Sequence, residues 1–200
     1  MRTTTLISIS VTFLACSLHA QTAEQSLRWA RENIDAHAVT RHLEPPARVS
    51  GVKWQVNKIK GCTVELQETD HRESSDSVVK HDGVFSLNED KTITWTVDLG
   101  SLLPQFVMAD TSAGLPHIKI FAEGDAFHTK TETVSRAVRP DGSVESTSTW
   151  SAAANARNLM MYFDSPTVDN KALVHRLESD LRDAVYGCMP HAAKIIHHQR

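Results

Sequence analysis

Apolar positions along this chain change their period twice. Ala23, Leu27, Ala30, Ile34 and Ala38 recur at three- and four-residue steps, while Arg28, Arg31, Glu32 and Asp35 fall on other faces. That spacing predicts an amphipathic helix. Thr22 and Gln25 flank its start as a capping box, each able to satisfy an orphan N–H. The stripe is narrow and Ala-rich, which suits close docking on something larger. Pro45-Pro46 stops any helix and opens a linker.

From about residue 51 the period becomes two, the signature of strands. Val52, Trp54 and Val56 alternate with Lys53, Gln55 and Asn57, and Cys62, Val64 and Leu66 follow Gly61 as a hairpin partner. Residues 69–77 are all polar and read as an exposed loop, and 78–87 as a less regular strand with a break at Gly83. Ile93, Trp95, Val97 and Leu99 alternate with Thr92, Thr94, Thr96 and Asp98. Ile118, Ile120 and Ala122 mark a further strand. The Thr-rich stretch 127–138 and its answer 144–150 are joined by Pro140-Asp141-Gly142, a turn in which Pro fixes φ and Gly accepts a positive φ. Leu159, Met161 and Phe163 form a last apolar strand face.

The period then returns to helical. Leu173, Leu177, Leu181, Ala184, Val185 and Cys188 share one stripe, Ser165-Pro166 reads as its start, and Gly187 and Pro190 mark its end. The order predicts an α+β fold: an N-terminal helix, a curved antiparallel sheet of about seven or eight strands, and a long C-terminal amphipathic helix packed on it. Pleckstrin-homology-like domains have the same order, an analogy of fold that carries no function. The expected organisation is a signal peptide at 1–20, a helix and linker at 21–50, one antiparallel β domain with its helix at 51–190, and a flexible tail at 191–200.

The N-terminal segment sets the compartment. Arg2 precedes an apolar run from Leu6 to Cys16, and Ala20 offers a small residue at a cleavage point. Eleven helical residues rise only ~16 Å, too short to span a bilayer. The chain is therefore expected to be exported, periplasmic or extracellular, with no transmembrane segment once the signal is removed. Cys16 offers the alternative of a lipid anchor, although Phe13-Leu14-Ala15 fits a lipidation triplet poorly.

Export leaves Cys62 and Cys188, in an oxidising compartment where thiols within reach tend to pair. Cys62 shares a strand face with Val64 and Leu66, and Cys188 lies on the helical stripe, so both point toward the core. Three readings follow: a disulfide stapling the last helix to the sheet, two free buried cysteines, or a reactive thiol. No Cys-x-x-Cys pair favours the last.

The chain has 200 residues, 40% hydrophobic and 22% charged, with a formal charge of −3, a composition that fits one folded domain and no basic nucleic-acid footprint. Eleven histidines invite a metal, but no His-Glu-x-x-His or Cys-x-x-Cys spacing assigns ligands. Nucleophile elbows and phosphate loops are also missing from the sequence. No catalytic, cofactor-binding or metal-ligating residue is assigned, and no cofactor. Trp54 and Trp95 follow the apolar phase of their strands and belong to the core. Trp29 and Trp150 lie off it and are the candidates for an exposed contact.

The segments Thr22…Ser26-Leu27-Arg28-Trp29, Gly61-Cys62-Thr63-Val64, Trp95-Thr96-Val97-Asp98-Leu99 and Met160-Met161-Tyr162-Phe163-Asp164, with the helix ending at Cys188, resemble a group of uncharacterised exported bacterial proteins. The resemblance implies one domain with a strand-to-helix disulfide and transfers no active site. The sequence thus favours a non-catalytic exported binding or interaction domain, its partner an envelope protein or a small ligand. The alternatives are an exported hydrolase with a motif-free site and an envelope subunit held by lipid on Cys16.

Overall fold

The computed structural model describes residues 24–44, 48–80, 83–112, 114–124 and 126–190, and only the backbone within 41–50 and 73–85. The signal, Cys16 and tail readings fall on residues outside these. Helix α1 covers residues 24–37. Nine strands follow: β1 (Val39–Glu44), β2 (Arg48–Lys60), β3 (Thr63–Lys80), β4 (Gly83–Asp98), β5 (Val107–Asp110), β6 (His117–Phe121), β7 (Phe127–Val138), β8 (Val144–Ala156) and β9 (Asn158–Tyr162). Helix α2 (Asn170–Cys188) ends the described chain.

The α+β class is as expected, with one correction. In place of a single curved sheet there are two, a six-stranded sheet ordered β1-β2-β3-β4-β7-β8 and a three-stranded one ordered β5-β6-β9. All their pairings are antiparallel, and neither sheet closes into a barrel. The short strands leave the large sheet because Asp98 ends β4 by accepting from Gly100 N–H, opening two 3-10 turns, Leu99–Ser101 and Pro104–Phe106. The chain re-enters the large sheet only at Phe127.

Three local boundaries differ from the sequence reading. The polar stretch 69–77 continues β3 instead of looping, paired with β2 and β4 through Glu73. The linker expected from Pro45-Pro46 to residue 50 contains the start of β2, and strand β1 precedes it. Helix α2 begins at Asn170 rather than at Ser165, because the Asp169 carboxylate accepts from Lys171 and Ala172 N–H.

The core lies between the layers at one end of the large sheet. Leu27, Ala30 and Ile34 of α1 and Leu173, Val174, Leu177 and Leu181 of α2 are buried together with strand residues of both sheets. Trp54 stands 5.9 Å from Trp95, and Trp95 meets Phe127 edge-on at 6.4 Å. Cys62 and Cys188 are bonded, with Cα atoms 5.6 Å apart. The bridge ties the β2–β3 turn, where Gly61 takes φ 58°, to the last residue of α2.

A candidate interaction edge

A sheet edge exposes backbone N–H and C=O groups that another strand can pair with. Beyond the end of β1, where β2 is itself the edge, helix α1 and its exit cover it. Trp54 N–H donates to Ala38 O at 2.9 Å; the next edge-facing donor, Val56 N–H, reaches Asp35 Oδ1 of α1 at 2.5 Å. In the small sheet, α2 reaches β5, where Arg182 Nε donates to Val107 O at 2.9 Å.

Strand β8 is managed differently. It is 13 residues long, and every residue from Val144 to Ser151 is exposed. It contains no Pro, Lys or Arg, the residues that usually blunt an edge, and its one charged side chain is Glu145. Beside Glu145 the register with β7 shifts, between Ala137 and Val138. From there to the Phe127–Ala156 pair the ladder runs unbroken.

The direction of each backbone group on β8 follows from the alternation of antiparallel pairs. Asp98 N–H donates to Ala126 O at 3.2 Å, so Val97 and Phe127 form a non-hydrogen-bonded pair. Trp95 and Thr129, two residues along, do likewise, so the Thr129 backbone turns toward β8 and bonds Ala154. Thr129 Oγ1 also donates to Ala154 O, at 3.0 Å, in agreement. Ser146, Ser148, Trp150, Ala152 and Ala154 therefore turn their backbone groups inward. Thr147, Thr149, Ser151, Ala153 and Asn155 turn theirs to the outer edge, which no described strand covers.

Trp150 is 61% exposed. Its side chain belongs to a row that runs Val52–Asp70–Lys91–Thr133–Trp150 across the sheet, on the same face as Val97 and Phe127. Asp70 is buried in that row; Trp150 at its end is not. Trp29 sits elsewhere, half-buried on α1, with Arg176 of α2 held 4.0 Å over its ring. The structure thus brings Cys62 to Cys188 and leaves Trp29 and Trp150 in separate surroundings. Sequence reasoning marked the strand as polar but missed which backbone groups are free, since that depends on the register of β4, β7 and β8 together.

One cluster brings together the residue types of a hydrolase. Asp110 Oδ1 accepts from Ser112 Oγ at 2.7 Å, and Oδ2 accepts from Lys119 Nζ at 2.9 Å, with His117 Nε2 3.7 Å away. The hydrogen bonds from Ser112 and Lys119, the Ser112 hydroxyl foremost, hold the Asp110 carboxyl well below its usual range. The order is wrong for an activated serine. A base must stand between carboxylate and nucleophile, whereas here the carboxylate stands between Ser112 and His117. The other imidazole nitrogen, His117 Nδ1, faces Leu115 O at 2.9 Å. The arrangement ties down a loop.

On the opposite face of the large sheet, Asp90 accepts from His71 Nδ1 at 2.5 Å and pairs with Arg136. Those two hydrogen bonds, His71 first, lower the Asp90 pKa. On the core side Glu68 accepts from Trp95 Nε1 at 3.1 Å, yet burial outweighs that bond and raises its pKa. Among the described residues no three His, Cys, Asp or Glu side chains converge in a way that could hold a metal ion. No described helix is long and apolar enough to cross a membrane.

Comparison with known proteins adds no second line of argument: no family model, no curated protein and no solved structure matches the chain.

Proposed function

We propose that the chain is a non-catalytic interaction domain, exported from the cell, that takes an extended polypeptide strand along β8. The observation that carries this reading is the contrast between edges. Asp35 and Arg182 occupy backbone groups near β1 and on β5, while β8 offers five outward-facing residues with no charge among them. Strand addition would supply main-chain hydrogen bonds along that edge, and Trp150 would supply an aromatic anchor beside it. The disulfide supports export, because such bonds persist in oxidising compartments. The order of strands followed by a long helix over β5 and β6 supports a pleckstrin-homology-like arrangement, and that likeness names no ligand.

The test is photo-crosslinking from an unnatural residue at Thr147 or Ser151, in the cells that make the protein, with exposed Lys53 as the off-edge control. Adducts are expected from the two β8 positions only, and Thr149→Pro should abolish them by removing one outward N–H. Adducts equally strong from Lys53, or none from β8, would refute the reading.

A further inference from the structure

Taking β8 as the binding edge, as proposed above, we infer that the strand it receives is β8 of a second copy of this chain, paired antiparallel about a two-fold axis at Trp150. The chemistry of the strand is complementary to itself in that register. Thr149 falls opposite Ser151, Ser148 opposite Ala152, Thr147 opposite Ala153 and Ser146 opposite Ala154. Each pairing sets a small hydroxyl residue against a small one. The single charged side chain, Glu145, falls opposite Asn155, so no like charges meet.

The backbone agrees with this register. Trp150 turns its own N–H and C=O toward β7, so across the axis it forms a non-hydrogen-bonded pair with its copy. Such pairs bring side chains closest, with Cα atoms about 4.5 Å apart. Two indoles that are each 61% exposed would thereby cover one another. The outward groups of Thr147, Thr149, Ser151 and Ala153 then pair reciprocally.

Closure favours a second copy over a foreign strand. A two-fold contact consumes the β8 edge of both partners at once, and a twelve-stranded sheet results, since each copy contributes six strands. Its outer edges are then the two β1 strands. Strand β1 is only six residues long, the short kind of edge that resists further growth. The contact is therefore expected to stop at a dimer.

Sedimentation of the oxidised chain should give a dimer that Thr149→Pro and Trp150→Lys each convert to a monomer with unchanged circular dichroism. Trp150→Cys should oxidise to a covalent dimer at least tenfold faster than Asn57→Cys, an exposed control on β2 away from the axis. A wild-type chain that sediments as a monomer overturns the inference, as does a Trp150→Cys rate no greater than that of the control. Crosslinks from Thr147 or Ser151 separate the two levels. An adduct of twice the chain mass supports the dimer. A foreign adduct without it overturns the dimer and leaves the edge-binding reading standing, and no adduct refutes both.

Discussion

Glu68 shows what the sheet exacts from one carboxylate. It sits on the core side of β3 beside Trp95, and burial raises its pKa above 4.5 more than the indole bond lowers it. A raised folded-state value means that protonation favours folding. The associated stability is full below the ordinary Glu value and is lost as pH rises through the folded one. Glu68→Gln keeps an acceptor for Trp95 and removes the charge. The variant should melt higher than wild type at neutral pH, with the gap closing as pH falls toward 4.5. Asp90 has the opposite sign, because His71 and Arg136 favour its ionised form. Its contribution is present above the ordinary Asp value and lost as pH falls through the lowered one. Asp90→Asn should reduce stability at neutral pH and have little effect in strong acid. The carboxylate is one-third exposed, so the loss should stay under about 1 kcal/mol in a denaturant titration.

At the scale of elements, the disulfide and the β7–β8 hairpin make separate predictions. Cys62 and Cys188 are 126 residues apart, so the bond excludes a large share of unfolded conformations. Replacing both with Ser should cost about 2–5 kcal/mol in urea unfolding. An unchanged midpoint would show that the packing of α2 suffices alone. In the hairpin, Ser148→Pro and Thr149→Pro remove neighbouring N–H groups, one turned to β7 and the other to the free edge. Ser148→Pro should lower the thermal midpoint markedly and Thr149→Pro much less. Equal losses would mean that the alternation is assigned the wrong way round. Periodicity revealed the helical stripes and the Ile93–Leu99 strand, because burial at one face leaves a repeat in the residues. It could not reveal that β3 runs through residues 69–77, since every position there is polar and no repeat can form. The helix start at Asp169 was equally hidden, because Ser165-Pro166 carries a start signal of its own. Cys62 and Cys188 were legible as core-facing cysteines, and the fold brings them together. The free edge was not legible, because it is a property of three strands in register.

Across the whole molecule, two regions differ in kind. One end is a packed core shared by two helices and two sheets. The other is the outer part of β7 and β8 with the facing stretch of β4 from Ser86, where Leu87 and Val144 are exposed and polar residues dominate. From Thr133 to Val138 alone this layer extends about 17 Å at the usual strand rise. Such a layer contributes little to the core and is costly to keep ordered. The proposed contact role would account for its length, and substitutions of its exposed side chains should act on association before they act on folding.

The sulfur bridge also turns most of the polypeptide into a covalent ring closed at Cys62 and Cys188. A protease that nicks one peptide bond inside that ring cannot release a fragment. The cut chain would keep its full mass on a non-reducing gel and separate into two pieces only when a thiol is added.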